Sequence, residues 1–483
     1  MATTSDSTRS AFLTFHGGLA GALAPFVVFL GGVATLAIAG APDEKGFWPI
    51  LLAALIVGLL LATDRARYSE AMLTGMSQRV VMVMLCAWLF AGVLGTILSA
   101  SGFVAALAWL ARSAHLTGGG YAGAAFLVCA LVSTATGTSF GTILLAGPLL
   151  YPAGGPAGAA PAALMGAILA GATFGDSISP VSDTTIASSG SQDADIGGTV
   201  RSRLRYALPA GLIALIASVL IGGVDTSGMK MHYSGVAAVQ PRAMVMLLAP
   251  ALVITMLLRQ RHLIESLLLG ITVAAVLAVA LGLIAPGALL HVAPGTFGAT
   301  GLVVDGMQRA IGVSVFTLLL VALVGTLQAT DALERLVRAA DGRARTSRMA
   351  EWWIVGVVSG AVLITTHSVV AILAVGPFAK QAGERFALTR YRRANLLDLT
   401  VCTWPFLLPW FLPTILAASA SAGGEAFGMP RQTALTIGLH NTYAWALVAA
   451  VLLAVTTGYG RKWETFAAPV GDVHPRAPAA VGR

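Results

Sequence analysis

Apolar stretches of about 17–25 residues, nearly free of charge, recur along almost the whole chain, and they constrain its fold more than any other feature. Each is long enough to cross a hydrocarbon core of roughly 30 Å, where backbone groups must satisfy one another. Only 10% of the 483 residues are charged, whereas a soluble domain carries about 25%. The expected fold is an all-α polytopic membrane protein. A net charge of +8 does not imply nucleic acid, because Lys and Arg sit in the connections between apolar stretches, as the positive-inside rule places them. Cys86, Cys129 and Cys402 lie inside apolar segments without metal-ligand or disulfide spacing and read as packing residues. The first stretch, near Gly17–Ala39, is too long for a signal-peptide core, so it reads as a retained helix.

The chain also repeats itself. Gln78-Arg79 matches Gln308-Arg309 and Gly95-Thr96 matches Gly325-Thr326 at an offset of 230 (308 − 78). Gly147-Pro148 matches Gly376-Pro377, and Thr136, Ser139 and Pro180 match Thr365, Ser368 and Pro409, at 229 (409 − 180). Two related halves in an apolar chain are the mark of a secondary transporter. Loop charge orients them. Arg65 and Arg67 precede the crossing near 79–100, whereas Arg335, Arg338, Arg343, Arg345 and Arg348 follow its counterpart near 311–330, so the repeats are inverted. Segments 121–150 and 352–378 fit only as re-entrant hairpins. The expectation is about ten transmembrane helices in two inverted repeats, each with a re-entrant hairpin and a broken helix. The corresponding divisions are a cytoplasmic N-terminal tail (1–16), a first repeat (17–223), a connecting loop (224–243), a second repeat (244–458) and a cytoplasmic C-terminal tail (459–483).

Asp176, Asp183 and Asp398 fall at membrane depth, where an acid is expensive and by default functional. Asp176 and Asp183 flank Pro180, which lacks the amide that a continuous helix needs. Ser177, Ser179, Ser182, Thr184 and Thr185 crowd the same place. A helix broken near Ser179–Pro180 would offer freed carbonyls, hydroxyls and an acid to a hard cation. The competing reading has the acids capping helices or pairing with Arg201, Arg203 or Arg205. The hairpin turns would be Ser133–Ser139 and Thr365–Ser368. Thr136, Thr138, Ser139, His367 and Ser368 are their candidate cavity residues, with His367 also able to carry protons near neutral pH. In the second half Pro405 and Pro409 mark the break, Pro405 aligns with Asp176 (405 − 229), and Asp398 and Thr403 precede it. Asp398 either replaces the missing acid or pairs with Arg392 or Arg393. His440 falls in the last crossing.

The run Phe174-Gly175-Asp176-Ser177-Ile178-Ser179-Pro180-Val181-Ser182-Asp183-Thr184-Thr185 resembles the signature FGD-x-x-SP-[hydrophobic]-SDTT of the NhaC family of sodium/proton antiporters. Thr136-Gly137-Thr138-Ser139-Phe140-Gly141-Thr142 is similar to that family's first hairpin, and the resemblance covers about residues 10–460. It implies inverted repeats, hairpins, broken helices, and Na⁺/H⁺ exchange with Asp176, Asp183, Ser179, Ser182, Thr184 and Thr185 in the ion site. Some members exchange organic acids together with Na⁺ and H⁺.

The first expectation is therefore exchange of cytoplasmic Na⁺ for external protons at the inner membrane. The second is a Na⁺- or H⁺-coupled carrier of a small organic acid or amino acid. The expected partners are Na⁺, protons and the lipid bilayer, with a homodimer left open and no nucleic acid. No cofactor and no transition-metal site are expected, only Na⁺ held through Asp176 and Asp183. No GxxxxGK[ST] loop occurs in the chain. Gly137-Thr138-Ser139-Phe140-Gly141 fits the G-x-S-x-G hydrolase pattern, but that motif needs a strand-to-helix turn, and an enzyme is the remote alternative.

Overall fold

Backbone groups in apolar stretches have no water to bond, and the computed structural model of the chain is helical almost throughout. It describes residues 12–38, 44–116, 118–223, 241–259, 261–293 and 298–464. The tails and connecting loop expected from sequence lie largely outside these residues. The first half contains α1 (Leu19–Ile38), α2 (Phe47–Leu61), α3 (Arg65–Met76), α4 (Arg79–Ala100) and α5 (Phe103–Ser113). A hairpin of α6 (Gly119–Thr136) and α7 (Ser139–Gly154) follows, then α8 (Pro161–Ile178), α9 (Asp183–Ser191) and α10 (Ile196–Gly222). The second half opens with α11 (Leu248–Leu258), α12 (Leu263–Ala280) and the single turn α13 (Pro286–Leu289). A small antiparallel ribbon, β1 (His291–Ala293) with β2 (Gly298–Thr300), leads into α14 (Leu302–Gln328) and α15 (Ala332–Ala340). A second hairpin, α16 (Ser347–Thr365) and α17 (Ser368–Glu384), is followed by α18 (Arg390–Val401) and α19 (Leu412–Ser421). The described chain ends with α20 (Ala434–Leu439) and α21 (Thr442–Thr457).

By length and composition, eight helical segments among the described residues can cross a membrane, counting α8 and α9 as one. Three shorter apolar helices lie at 47–61, 242–257 and 442–457. The repeat is visible in the helix boundaries. α5, α7, α8 and α9 begin at Phe103, Ser139, Pro161 and Asp183, and α15, α17, α18 and α19 begin 229 residues later (412 − 183). The equivalent helices α4 and α14 run antiparallel: Gln78 meets Gln328 at 3.5 Å, while at the other end the Thr96 hydroxyl donates to the Leu302 carbonyl at 2.8 Å. Gly92 and Gly306 let these two backbones touch, since a Cβ on Gly92 would strike the Gly306 carbonyl. Equivalent helices in opposite directions are what inversion requires.

Three details differ from the sequence reading. Around 63–78, where Arg65 and Arg67 read as a charged connection before the next crossing, the chain forms α3. Asp64 caps it by accepting the Ala66 and Arg67 amides at 3.0 Å, and Tyr68, Ala71 and Gly75 form its buried face. α7 runs on through Pro152 to Gly154, past the end of the hairpin segment 121–150 expected from sequence. The last crossing is interrupted at His440, which ends α20 with its Nδ1 2.8 Å from the Thr436 carbonyl oxygen.

Candidate functional site

The break predicted near Pro180 is present. α8 stops at Ile178, four non-helical residues follow, and α9 starts at Asp183. The Ser179 amide folds back onto the Asp176 carbonyl at 3.2 Å, and the Val181 amide donates to the Ser179 hydroxyl at 3.3 Å. α8 is buried on nearly every side, so this irregular backbone lies inside protein rather than against lipid.

The first hairpin turn packs directly on that break. Gly137 adopts the left-handed conformation (φ 68°), and a Cβ there would come within 2.7 Å of the Val181 carbonyl. Thr138 then caps α7 by accepting the Gly141 amide at 3.3 Å. The first amide of α7, on Ser139, donates to Asp176 Oδ2 at 3.3 Å. The buried Asp176 carboxylate thus sits at the positive end of a helix whose first amides have no partner in the helix. The hydroxyls of Ser139 and Ser182 lie beside it, and Ser139 Oγ is buried without a hydrogen-bond partner. The other hydroxyls are locally engaged: Thr136 with the Val132 carbonyl, Ser182 with Thr184, and Thr403 with the Thr400 carbonyl.

Asp183 is not a second buried acid. It occupies the exposed first turn of α9, where its charge suits the helix dipole. The break therefore leaves one carboxylate buried and the other exposed, where a continuous helix would align them on one face. Asp183 instead lies within electrostatic reach of His367. His367 sits at the N-cap of α17 after the left-handed Thr366 (φ 50°), and its Nδ1 is buried without a partner. A cavity of about 510 Å³ adjoins this turn, lined in part by Gln78, Thr317, Gln328, Thr365, Thr366 and His367. Thr136, Thr138, Ser139, Ser368, Asp398 and Thr403 do not line it. The Ser368 hydroxyl instead reaches the Val401 carbonyl at 3.4 Å, tying the second turn to the second break.

Asp398 is fully buried and pairs with neither Arg392 nor Arg393. Its partner is Arg203 of α10, whose Nη2 lies 2.5 Å from Asp398 Oδ2. The Ser188 hydroxyl donates to the same oxygen at 3.0 Å. Arg203 also donates to the Ser177 carbonyl (2.8 Å), Thr185 Oγ1 (2.7 Å) and Asn395 Oδ1 (3.0 Å). One guanidinium thereby joins α8, α9 and α18. Asp176 is close enough to feel the charge of Asp398.

Arg203 entered the sequence reading only as a possible partner of the first-half acids. Its position carries a signal: Thr199, Arg203, Ala207, Ala210 and Ala214 share one buried helical face of α10, while Arg201 is exposed. Glu351 was missed altogether. Fully buried in α16, it binds Arg392 (2.9 and 3.1 Å) and Arg461 (3.0 and 2.7 Å), each in a two-pronged pairing. The G-x-S-x-G pattern lies at a turn between two helices, not between a strand and a helix.

Comparison with known proteins agrees with this architecture. Residues 11–223 match the model of the Na⁺/H⁺ antiporter family. The chain is 27% identical over 237 residues to the Na⁺/H⁺ antiporter NhaC of Alkalihalophilus pseudofirmus, covering 45% of this chain and 49% of that protein. It is 31% identical over 162 residues to the malate-2H⁺/Na⁺-lactate antiporter of Bacillus subtilis, covering 32% of this chain and 35% of that protein. A third relative is the arginine/ornithine antiporter ArcD of Halobacterium salinarum, 34% identical over 117 residues, 24% of each chain. The chain thus spans half or less of the length of these relatives. The family model thus matches the first repeat, NhaC proteins of two organisms are among the relatives the chain resembles, and the second repeat stands in step with the first.

Proposed function

We propose that this protein exchanges Na⁺ for H⁺ across the cytoplasmic membrane, with Asp176 as the carboxylate that alternates between the two ions. One observation carries the reading. Where the two broken helices meet there are two buried acids, Asp176 and Asp398, but Arg203 is ion-paired only to Asp398. The local charge is one positive short of balance, and a buried charge without compensation is costly. A single Na⁺ or a single proton restores neutrality. Competition for one compensating charge is the simplest form of exchange. The Asp176 carboxylate, Ser139 Oγ and Ser182 Oγ are hard oxygens suited to Na⁺, which is cargo here rather than a resident metal. His367, which lines the cavity at the second hairpin turn, and Asp183, within electrostatic reach of it, would pass protons to or from this centre. The arginine-rich connections support a placement with both termini in the cytoplasm.

The test is transport in proteoliposomes loaded with a pH-sensitive dye, adding Na⁺, Li⁺ or K⁺ separately to vesicles with a preset pH gradient. The proposal expects Na⁺ to dissipate the gradient. Dissipation by none of the three cations would overturn it.

A further inference from the structure

Two cavities on the side of the molecule that carries Arg65 and Arg67 meet at one residue. The outer one, of about 810 Å³ including its open mouth, lies between α3 and the end of α14, where Arg67, Glu70, Thr74 and Gln328 help to line it. The inner one is the cavity of about 510 Å³ beside His367, and Gln328 lines that one too. Gln78, just before α4, faces it from the opposite wall, and its Nε2 donates to Gln328 Oε1 at 3.5 Å. α3 is pressed onto α14 close by, since a Cβ on Gly75 would strike the Val321 carbonyl, so the walls beside the amide pair are backbone against backbone. No Asp, Glu, Lys or Arg lines the inner cavity, yet two of its lining residues, Thr317 and His367, each keep a buried polar atom without a partner. Unpaired polar atoms beside an open space are places for water. The helix crossing itself does not demand the amide pair. At the other end of α4 and α14 the equivalent positions are the exposed Gln308 and the buried, apolar Leu98 (328 − 230).

We infer that these two cavities form the ion access path on the Arg65 and Arg67 side, and that Gln78 and Gln328 are the constriction a cation must part to pass. The closure is weak by construction, because 3.5 Å is the long limit of a hydrogen bond between neutral groups. Each amide oxygen can turn to a passing cation as a hard ligand without trapping it by a fixed charge. The constriction is also tied to the ion centre. Gln328 Nε2 donates to the Thr365 carbonyl at 3.2 Å, in the turn of the second hairpin. Ser368 of the same turn reaches the Val401 carbonyl at the second break. A shift of the break on ion binding is thereby passed to Gln328, and the path opens or closes with occupancy. Protons and Na⁺ share this route, because His367 lines its inner end. Na⁺ as the passenger rests on the exchange reading above, whereas the path itself can be measured without it.

Thr317→Cys on α14 and Met84→Cys on α4 each put a reporter thiol on the lining of the inner cavity. The full-length variants, in everted and in right-side-out membrane vesicles, are treated with a membrane-impermeant trimethylammonium methanethiosulfonate. Labelling is read against the wild-type background of Cys86, Cys129 and Cys402. Slow labelling is expected from the face that carries Arg65 and Arg67, and none from the other face. Adding Gln328→Ala or Gln78→Ala should speed it by roughly fivefold, the factor that loss of one neutral hydrogen bond represents. Gln78→Ala leaves the bond to Thr365 in place, so faster labelling there does not come from a loosened hairpin. Na⁺-driven proton movement should fall in proportion to labelling. Labelling from the opposite face only, no labelling of either thiol even beside the Gln→Ala changes, equal rates with and without those changes, or full exchange by fully labelled protein would each overturn the path. Labelling as expected in a protein that moves no protons with Na⁺ would overturn the exchange reading and leave the path standing.

Discussion

Replacing Asp398 with Asn removes one charge from the ion pair that joins the two breaks. Wild-type Arg203 has one anionic and three neutral acceptors, from α8, α9 and α18. In Asp398→Asn the guanidinium stays fully buried with the neutral three only. Breaking a buried pair on one side destabilises by about 3–5 kcal/mol, because the remaining charge is left uncompensated. The loss of the charge-assisted bond from Ser188 falls within that figure, since the two terms share one carboxylate. Removing both charges with residues of similar volume, Arg203→Met with Asp398→Leu, should recover most of it. Stability would be measured by reversible denaturation in mixed micelles, or by the ranking of thermal midpoints where unfolding is irreversible. The account expects each single variant to be much less stable than wild type, and the double variant to lie between them and wild type. A stability loss under about 1 kcal/mol in Asp398→Asn, the size of an exposed pair, would refute the claim that this ion pair anchors the crossing.

Other expectations follow from the same contacts. Gly137→Ala puts a methyl group 2.7 Å from the Val181 carbonyl at a positive φ; a loss of about 1–3 kcal/mol and slowed exchange are expected, with unchanged thermal stability as the contrary result. Glu351→Gln leaves Arg392 and Arg461 without their shared carboxylate; limited proteolysis should then cut faster after Thr457, because Arg461 holds that segment against α16. His367→Gln should slow proton release, shifting the pH profile of exchange, while Na⁺ binding at equilibrium stays within about threefold, under the roughly 0.7 kcal/mol that such a factor represents. An unaltered profile would remove His367 from the proton path.

Much of the centre could be read from sequence because it is local. Pro180 takes an amide out of the helix ladder among serines that offer the freed groups local partners, and the hydroxyl-rich clusters at 136–139 and 365–368, with Gly137 in the first, mark turns by side-chain chemistry. The 229-residue offset was visible in a handful of matches and reappears in the helix starts. Less legible were features decided by distant contacts. Asp398 had arginines six and five residues before it in sequence (398 − 392; 398 − 393), yet its partner is 195 residues away (398 − 203). Arg392 is taken by Glu351 and Arg393 by Gln192, and only the tertiary fold settles that choice. Charge concealed α3, whose buried face of Tyr68, Ala71 and Gly75 nonetheless repeats at helical spacing. The separation of Asp176 from Asp183 was also hidden, because a seven-residue spacing implies one face only while the helix is unbroken.

The claim that Asp176 carries the exchanged charge is tested most directly by a Na⁺ pulse to proteoliposomes containing wild type or Asp176→Asn, with internal pH recorded and folded protein quantified. The account predicts Na⁺-driven proton movement in wild type and none above protein-free vesicles in the folded variant. Wild-type rates in Asp176→Asn would contradict it.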